Sequence, residues 1–116
     1  MIRLKDKDMV KLAKAEALII RSLDKHYTIV EIARMVQMPE KRLKWAFKHT
    51  YGMGIYTYLK TQRLLRAKVL MLERKRVHEI IQEIGYSSQS NFSKAFTKTF
   101  KERPSEWRKS QLAKTA

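Results

Sequence analysis

The sequence predicts an all-α fold: seven helices in two helix-turn-helix subdomains, joined by a long linker helix. Three observations carry that prediction. One pattern of apolar and acidic positions occurs twice, as Ile29-x-Glu31-Ile32-Ala33-x-x-Val36 and again as Val77-x-Glu79-Ile80-Ile81-x-x-Ile84. Each copy is followed by a turn and an aromatic-anchored helix. The offset is 48 residues from Ile29 to Val77 and 49 from Phe47 to Phe96, which puts one extra residue in the second turn, near Ser87 and Ser88. Apolar residues elsewhere recur at steps of three and four, the period of an amphipathic helix, and no stretch alternates as a strand would. Finally, 44% hydrophobic residues with only three Gly and two Pro in 116 positions describe a chain able to bury a modest core.

The elements follow in order. Asp8 caps a first helix whose core face is Met9, Leu12, Ala15, Ile19 and Leu23, with Lys11, Lys14 and Arg21 outward. The periodicity breaks between Asp24 and Thr28. Thr28, with Glu31 three residues later, forms a capping box that starts a second helix over 29–36. Gln37-Met38-Pro39 makes the turn. Pro39 lies at the start of a third helix, where its missing N–H leaves no bond unmade. That helix runs from Glu40 to His49 or Thr50, with Leu43, Ala46, Phe47 and Thr50 inward and Lys41, Lys44, Trp45 and Lys48 outward. Gly52-Met53-Gly54 ends it, because glycine takes the left-handed conformation a C-terminal cap requires. The linker helix spans about 55–74 and buries Tyr58, Leu59, Leu64, Ala67, Leu70 and Met71. Glu73-Arg74-Lys75-Arg76 turns the chain into the second copy, a helix over 77–84 closed by Gly85, with Tyr86 filling the turn as Met38 does in the first. A helix over 89–99 turns Phe92, Ala95, Phe96 and Thr99 inward and Ser90, Ser93, Lys94 and Thr97 outward. Arg103-Pro104-Ser105 opens a last short helix containing Trp107, with a frayed tail from Lys109.

Charge selects the class of partner. Lys and Arg outnumber Asp and Glu 26 to 11, a net charge of +15, spread from Arg3 to Lys114 and not gathered into one arm. A folded surface of that potential concentrates polyanions, chiefly nucleic acid and secondarily anionic membrane. The absence of cysteine removes a disulfide framework, a thiolate zinc site and a cysteine nucleophile together. His26, His49 and His78 lack the spacing of metal ligands, and Glu31 and Glu79 hold equivalent places suited to helix starts or salt bridges. No nucleophile-base pair or phosphate-cradling glycine loop is present, so neither an enzyme nor a bound cofactor or metal is expected.

The candidate contacts lie on the outer faces of the two second helices. In the first copy these are Lys41, Lys44, Trp45 and Lys48, with Arg42 at the edge. A cation there can bond guanine O6 and N7 or hold a phosphate, and Trp45 can press on a thymine methyl or a sugar or else tuck against the first helix. In the second copy they are Gln89, Ser90, Asn91, Ser93 and Lys94. Gln and Asn can pair bidentately with adenine, and Asn91 can equally satisfy a group in the turn. Arg63 reads as a brace for the linker helix.

These residues carry a resemblance. Leu43-x-x-x-Phe47-Lys48, Tyr51-Gly52, Tyr58-Leu59-x-x-x-Arg63-Leu64-x-x-Ala67-x-x-Leu70-Met71, Ile84-Gly85-Tyr86-x-x-x-x-x-Phe92-Ser93-x-x-Phe96 and Arg103-Pro104-Ser105-x-Trp107-Arg108 resemble the DNA-binding domain of the AraC/XylS family of bacterial transcription regulators, from about Ala15 to Lys109. The resemblance implies two recognition helices placed in successive major grooves of double-stranded promoter DNA, and activation through contact with RNA polymerase. Two positions depart from the family pattern. Ile81 stands where a small residue is usual, which implies altered docking of that helix, and Lys101 stands where glycine is usual, which implies a different terminating turn.

The expected division is 1–53 for the first subdomain, 54–74 for the linker helix and 75–116 for the second. No apolar run approaches the roughly 20 residues that span a bilayer, and the start Met1-Ile2-Arg3-Leu4-Lys5-Asp6 lacks a signal core, so a cytoplasmic, nucleoid-associated protein without membrane contact is expected. Family members usually add a sensing or dimerising domain, for which 116 residues leave no room; a stand-alone short regulator and the C-terminal fragment of a longer chain both fit. The competing reading, a nonspecific binder of RNA or DNA, needs only the charge.

Overall fold

The computed structural model describes residues 4–114. Met1, Ile2 and Arg3, part of the start read above, and residues 115–116 lie outside the described residues. Seven helices and no strand occur among the described residues: α1 (Asp6–Arg21), α2 (Ile29–Met35), α3 (Glu40–Tyr51), α4 (Ile55–Leu72), α5 (Val77–Ile84), α6 (Gln89–Phe100) and α7 (Pro104–Lys114). The predicted all-α class and helix count are those observed. Residues up to Lys60 cluster as one compact unit and those from Thr61 onward as another, so the division falls inside α4. None of the described helices is long and apolar enough to cross a membrane.

The first unit closes around Leu12, Ala15 and Ile19 of α1, Ile32 and Ala33 of α2, Leu43, Ala46 and Phe47 of α3, and Ile55 of α4, all buried. Tyr58 packs its ring against Phe47, with centroids 5.2 Å apart, and donates its hydroxyl to Glu16 Oε2 at 2.5 Å. Burial, and then that bond to a carboxylate, push the Tyr58 phenol well above its ordinary range. The second unit closes around Leu64, Ala67, Leu70 and Met71 of α4, Ile80, Ile81 and Ile84 of α5, and Phe92 and Phe96 of α6. On its flank Lys68 Nζ lies 3.6 Å from the Phe100 ring centroid and 5.0 Å from that of Trp107. Arg108 donates from Nε to the Met71 carbonyl at 2.9 Å and from Nη2 to the Lys75 carbonyl, tying α7 to the last turn of α4 and to the turn that follows it.

The two turns share their closing bond and differ at the corner, where Gln37 N–H reaches the Arg34 carbonyl at 3.2 Å and Gly85 N–H the Ile81 carbonyl at 3.0 Å. Met38 N–H reaches the Ala33 carbonyl at 2.9 Å, and Tyr86 N–H reaches the Ile81 carbonyl at 3.0 Å. The bulk of Ile81 therefore leaves the closing bond of its turn in place, and Ile81 is itself buried. At the corner Gln37 has φ 57° where the second copy has Gly85 at 85°. After the second helix of each copy the order inverts: Gly52 has φ 78° and Lys101 has 62°. The terminating turn expected to change at Lys101 is therefore kept, with Lys101 N–H on the Thr97 carbonyl at 2.8 Å as Gly52 N–H is on that of Lys48 at 2.9 Å. A lysine is held where glycine is easier.

Several boundaries and faces differ from the sequence reading. α1 starts at Asp6 with Lys5 as N-cap, and Asp8, in its third position, accepts from Lys5 N–H at 2.9 Å instead of capping from outside. Met9 is 43% exposed and does not belong to the core face. Thr99 is exposed, and Phe100, one helical turn after Phe96, packs against the second core in its place. α7 continues to Lys114 without fraying at Lys109, since no glycine or proline interrupts that segment. The capping box of α2 forms as expected, with Glu31 N–H on Thr28 Oγ1 at 3.1 Å and Thr28 N–H on Glu31 Oε1 at 3.3 Å.

Candidate nucleic-acid interface

α3 and α6 each bury one side and leave the other to solvent. α3 is fixed by Leu43, Ala46 and Phe47, so Lys41, Lys44 and Lys48, one turn or less apart, are exposed together. Lys44 Nζ pairs with Glu40 Oε1 at 3.2 Å, and both side chains are about half exposed. Such a surface pair is worth about 0.3–0.5 kcal/mol, less than one good phosphate contact, so Lys44 remains available to an incoming anion. Trp45 is half-buried rather than exposed: it packs against the first core and stacks on His49, with centroids 5.0 Å apart and planes 10° from parallel.

Arg42, expected at the edge of this face, turns elsewhere. Its Nη2 lies 2.6 Å from Asp8 Oδ2 and its Nε 3.3 Å from Asp8 Oδ1, a two-pronged bond from α3 to the buried end of α1. Geometry explains the capture: Asp8 is 4% exposed, and a buried carboxylate requires a fixed cation. The Arg42 guanidinium, aided by the Lys5 amide, holds the Asp8 carboxyl at about 2 against an ordinary 3.8. A carboxyl depressed by folding contributes stability above its unfolded pKa, and that contribution is lost as pH falls through the folded value. The stability advantage of the parent over Asp8→Asn should thus be full above pH 4 and shrink toward pH 2 in denaturant melts. A difference independent of pH across that window would exclude the Arg42 bond as its source.

On α6, Ser88 accepts from the Asn91 N–H at 3.1 Å as the helix N-cap. Gln89, Ser90, Asn91 and Lys94 are exposed and Ser93 is half-buried. Asn91 donates from Nδ2 to Ser87 Oγ at 2.8 Å, so its amide is turned back to the residue that the second turn has in excess. Helix for helix, Lys41, Lys44, Trp45 and Lys48 correspond to Ser90, Ser93, Lys94 and Thr97. The first face is cationic and the second mostly neutral.

Two groups of residues were missed in the sequence. Lys44 and Lys48 line a hollow of about 300 Å³ with Gly54, Ile55, Tyr56 and Thr57 at the start of α4, the end of a helix that favours an anion. The signal was Gly54 placed just before a helix start. Lys98 and Arg103 flank the reading side of α6, and neither belongs to the duplicated pattern. Among the described residues no cluster of His, Asp and Glu is suited to hold a metal ion.

Comparison with known proteins agrees with this arrangement. A family profile described as a helix-turn-helix domain matches residues 32–110. The HTH-type transcriptional activator RhaR of Mannheimia succiniciproducens is 30% identical over 102 residues, covering 87% of this chain and 37% of the relative. The chain spans about a third of the length of the first curated relatives it matches. Among solved structures, a transcriptional regulator of Chromobacterium violaceum, described as having an AraC-type DNA-binding domain, superposes with a TM-score of 0.79 at 27% identity, covering 90% of this chain and 94% of that one. The DNA-binding domain of AdpA, solved with a target DNA, superposes with a TM-score of 0.82 at 22% identity, covering 90% and 95%, and shares the fold.

Proposed function

We infer the function from one premise: the chain belongs to the AraC-type helix-turn-helix family. It is a sequence-specific reader of double-stranded DNA that regulates transcription, with α3 and α6 as recognition helices entering successive major grooves. The observation that carries this reading is the repeated helix-turn-helix, closed in each copy by the same turn hydrogen bond and presenting one exposed polar face per copy. Lys41, Lys44, Trp45 and Lys48 meet DNA from α3, and Gln89, Ser90, Asn91, Ser93 and Lys94 from α6. Arg42 contributes by setting α3 against α1. The hollow at Lys44, Lys48 and the α4 N-terminus receives a backbone phosphate. At promoters the bound chain activates transcription through RNA polymerase, in keeping with relatives named as activators.

The test is competition of defined promoter duplexes against bulk DNA at fixed salt, followed by footprinting. Half-sites read by adjacent helices lie about 34–36 Å apart, so one chain with two unlike helices should protect a non-palindromic site of about two turns. Equal affinity for all duplexes, or a single protected groove per chain, would leave only a nonspecific polyanion binder.

The copies should divide the labour unequally. Cations support affinity and guanine contact, whereas short hydroxyls add little nonspecific attraction. Lys44→Ala or Trp45→Ala should cost about 1–3 kcal/mol on a specific site where the side chain touches a base. Ser90→Ala and Asn91→Ala should cost less and shift preference mainly in the other half of the site. Equal losses among the four variants on a duplex library, or larger ones in α6, would reverse the assignment.

A further inference from the structure

The second unit contains a hollow of about 750 Å³ between α6 and α7, within the roughly 300–1,000 Å³ of small-molecule sites. Its floor is apolar: Met71, Val77, Ile80, Phe92 and Leu112. Its rim is cationic, with Lys94, Lys98, Arg103 and Lys109, and no Asp or Glu lines it. These four side chains are exposed, and among the described residues none forms an ion pair. The wall is fixed, because Arg108 is already bound to the Met71 and Lys75 carbonyls and holds α7 against the end of α4.

We propose that this hollow binds a small amphipathic anion, an aromatic or aliphatic body bearing one carboxylate or sulfonate, whose occupation withdraws Ser93 and Lys94 from DNA. The apolar floor gains from a ligand that removes it from water, and a low-dielectric wall beside several cations concentrates negative charge at the rim. A phosphate chain alone would leave the floor wet; a neutral apolar molecule would leave the rim unanswered. Gln89, Ser93 and Lys94 both line the hollow and belong to the outward face of α6. An occupant with its body against Ser93 and its head at Lys94 takes the space a base pair would need. The regulatory half of this proposal rests on α6 as a recognition helix; the binding half does not.

The probes are 8-anilinonaphthalene-1-sulfonate and N-phenyl-1-naphthylamine, which share one apolar body and differ in the sulfonate. Fluorescence titration without DNA should find one sulfonate dye per chain, with the neutral dye weaker by about tenfold, as expected for a charge-assisted contact. Lys98→Gln combined with Arg103→Gln, both on the surface, should weaken the sulfonate dye by about tenfold and leave the neutral dye unchanged. In a duplex titration at fixed salt the sulfonate dye should raise the apparent Kd for DNA in proportion to its concentration. Equal binding of the two dyes, indifference of the sulfonate dye to the double substitution, or a dye-loaded chain that holds DNA at the unloaded affinity would each overturn the proposal. Failure of the DNA reading would appear separately, as lost sequence preference in the duplex competition with the dye titrations intact.

Discussion

Raising salt from 50 to 200 mM should weaken binding to a specific duplex by about 10³–10⁵, if roughly 6–10 phosphates are neutralised by Lys and Arg. The basis is the net charge of +15 on a chain whose α3 face alone exposes Lys41, Lys44 and Lys48. Each phosphate contact releases condensed counterions, and added salt opposes that release, so log K should fall linearly with log salt. The measurement is fluorescence anisotropy on one duplex at several salt concentrations. A nearly flat line would remove the phosphate-dominated interface altogether. Substituting Lys44 by Ala should reduce the slope by about one if that lysine holds a phosphate, and by less if it is spent on a base edge.

Much of the framework of these two candidate faces is legible in the sequence because its determinants are local. Thr28 with Glu31, Gly52 and Gly85 are signals that a few neighbouring residues decide, and the helical spacing of Leu43, Ala46 and Phe47, and of Phe92 and Phe96, shows which sides of α3 and α6 face inward. What was illegible depends on residues distant in the chain. Arg42 looked like an edge contact because sequence shows its helix face but not Asp8, 34 positions earlier, waiting beneath it. Trp45 looked exposed by its angle on the helix, yet a large ring with His49 one turn on can lie along the surface and pack one side. The start of α1 was misplaced by three residues because Asp is favoured both as an N-cap and in the first turn, where its charge meets the helix dipole. The hollow between α6 and α7 needs residues from α4 through α7 and has no linear signature.

Phe96→Ala should destabilise the second unit by about 3–5 kcal/mol, a large part of the roughly 5–15 kcal/mol that stabilises a small domain. Phe96 is fully buried, and its ring meets Phe92 at 5.8 Å, Phe100 at 4.7 Å and Trp107 at 6.1 Å between centroids. Those contacts join α6 to itself and to α7, and the small unit has few other aromatic groups to collapse into the space. Denaturant unfolding followed by near-ultraviolet circular dichroism should show the loss. A cost below about 1 kcal/mol would mean that the cavity refills, contrary to close packing at this position.

The four left-handed corners within the two repeated copies have a consequence for how this chain can change. The first copy has glycine at the end of its second helix and glutamine at its turn; the second copy has glycine at its turn and lysine at the end. A side chain in that conformation costs about 1–2 kcal/mol, of which glycine's greater freedom in the unfolded chain returns about 0.5–1. Gln37→Gly and Lys101→Gly are therefore modest stabilising steps that each copy already demonstrates for the other. Redirecting a DNA reader toward a new target means exchanging residues on α3 and α6, most of which will lower stability somewhat. Two corners that can be relaxed without touching either outward face give this scaffold tolerance for that exchange, and make its specificity easier to evolve than its compact cores would suggest.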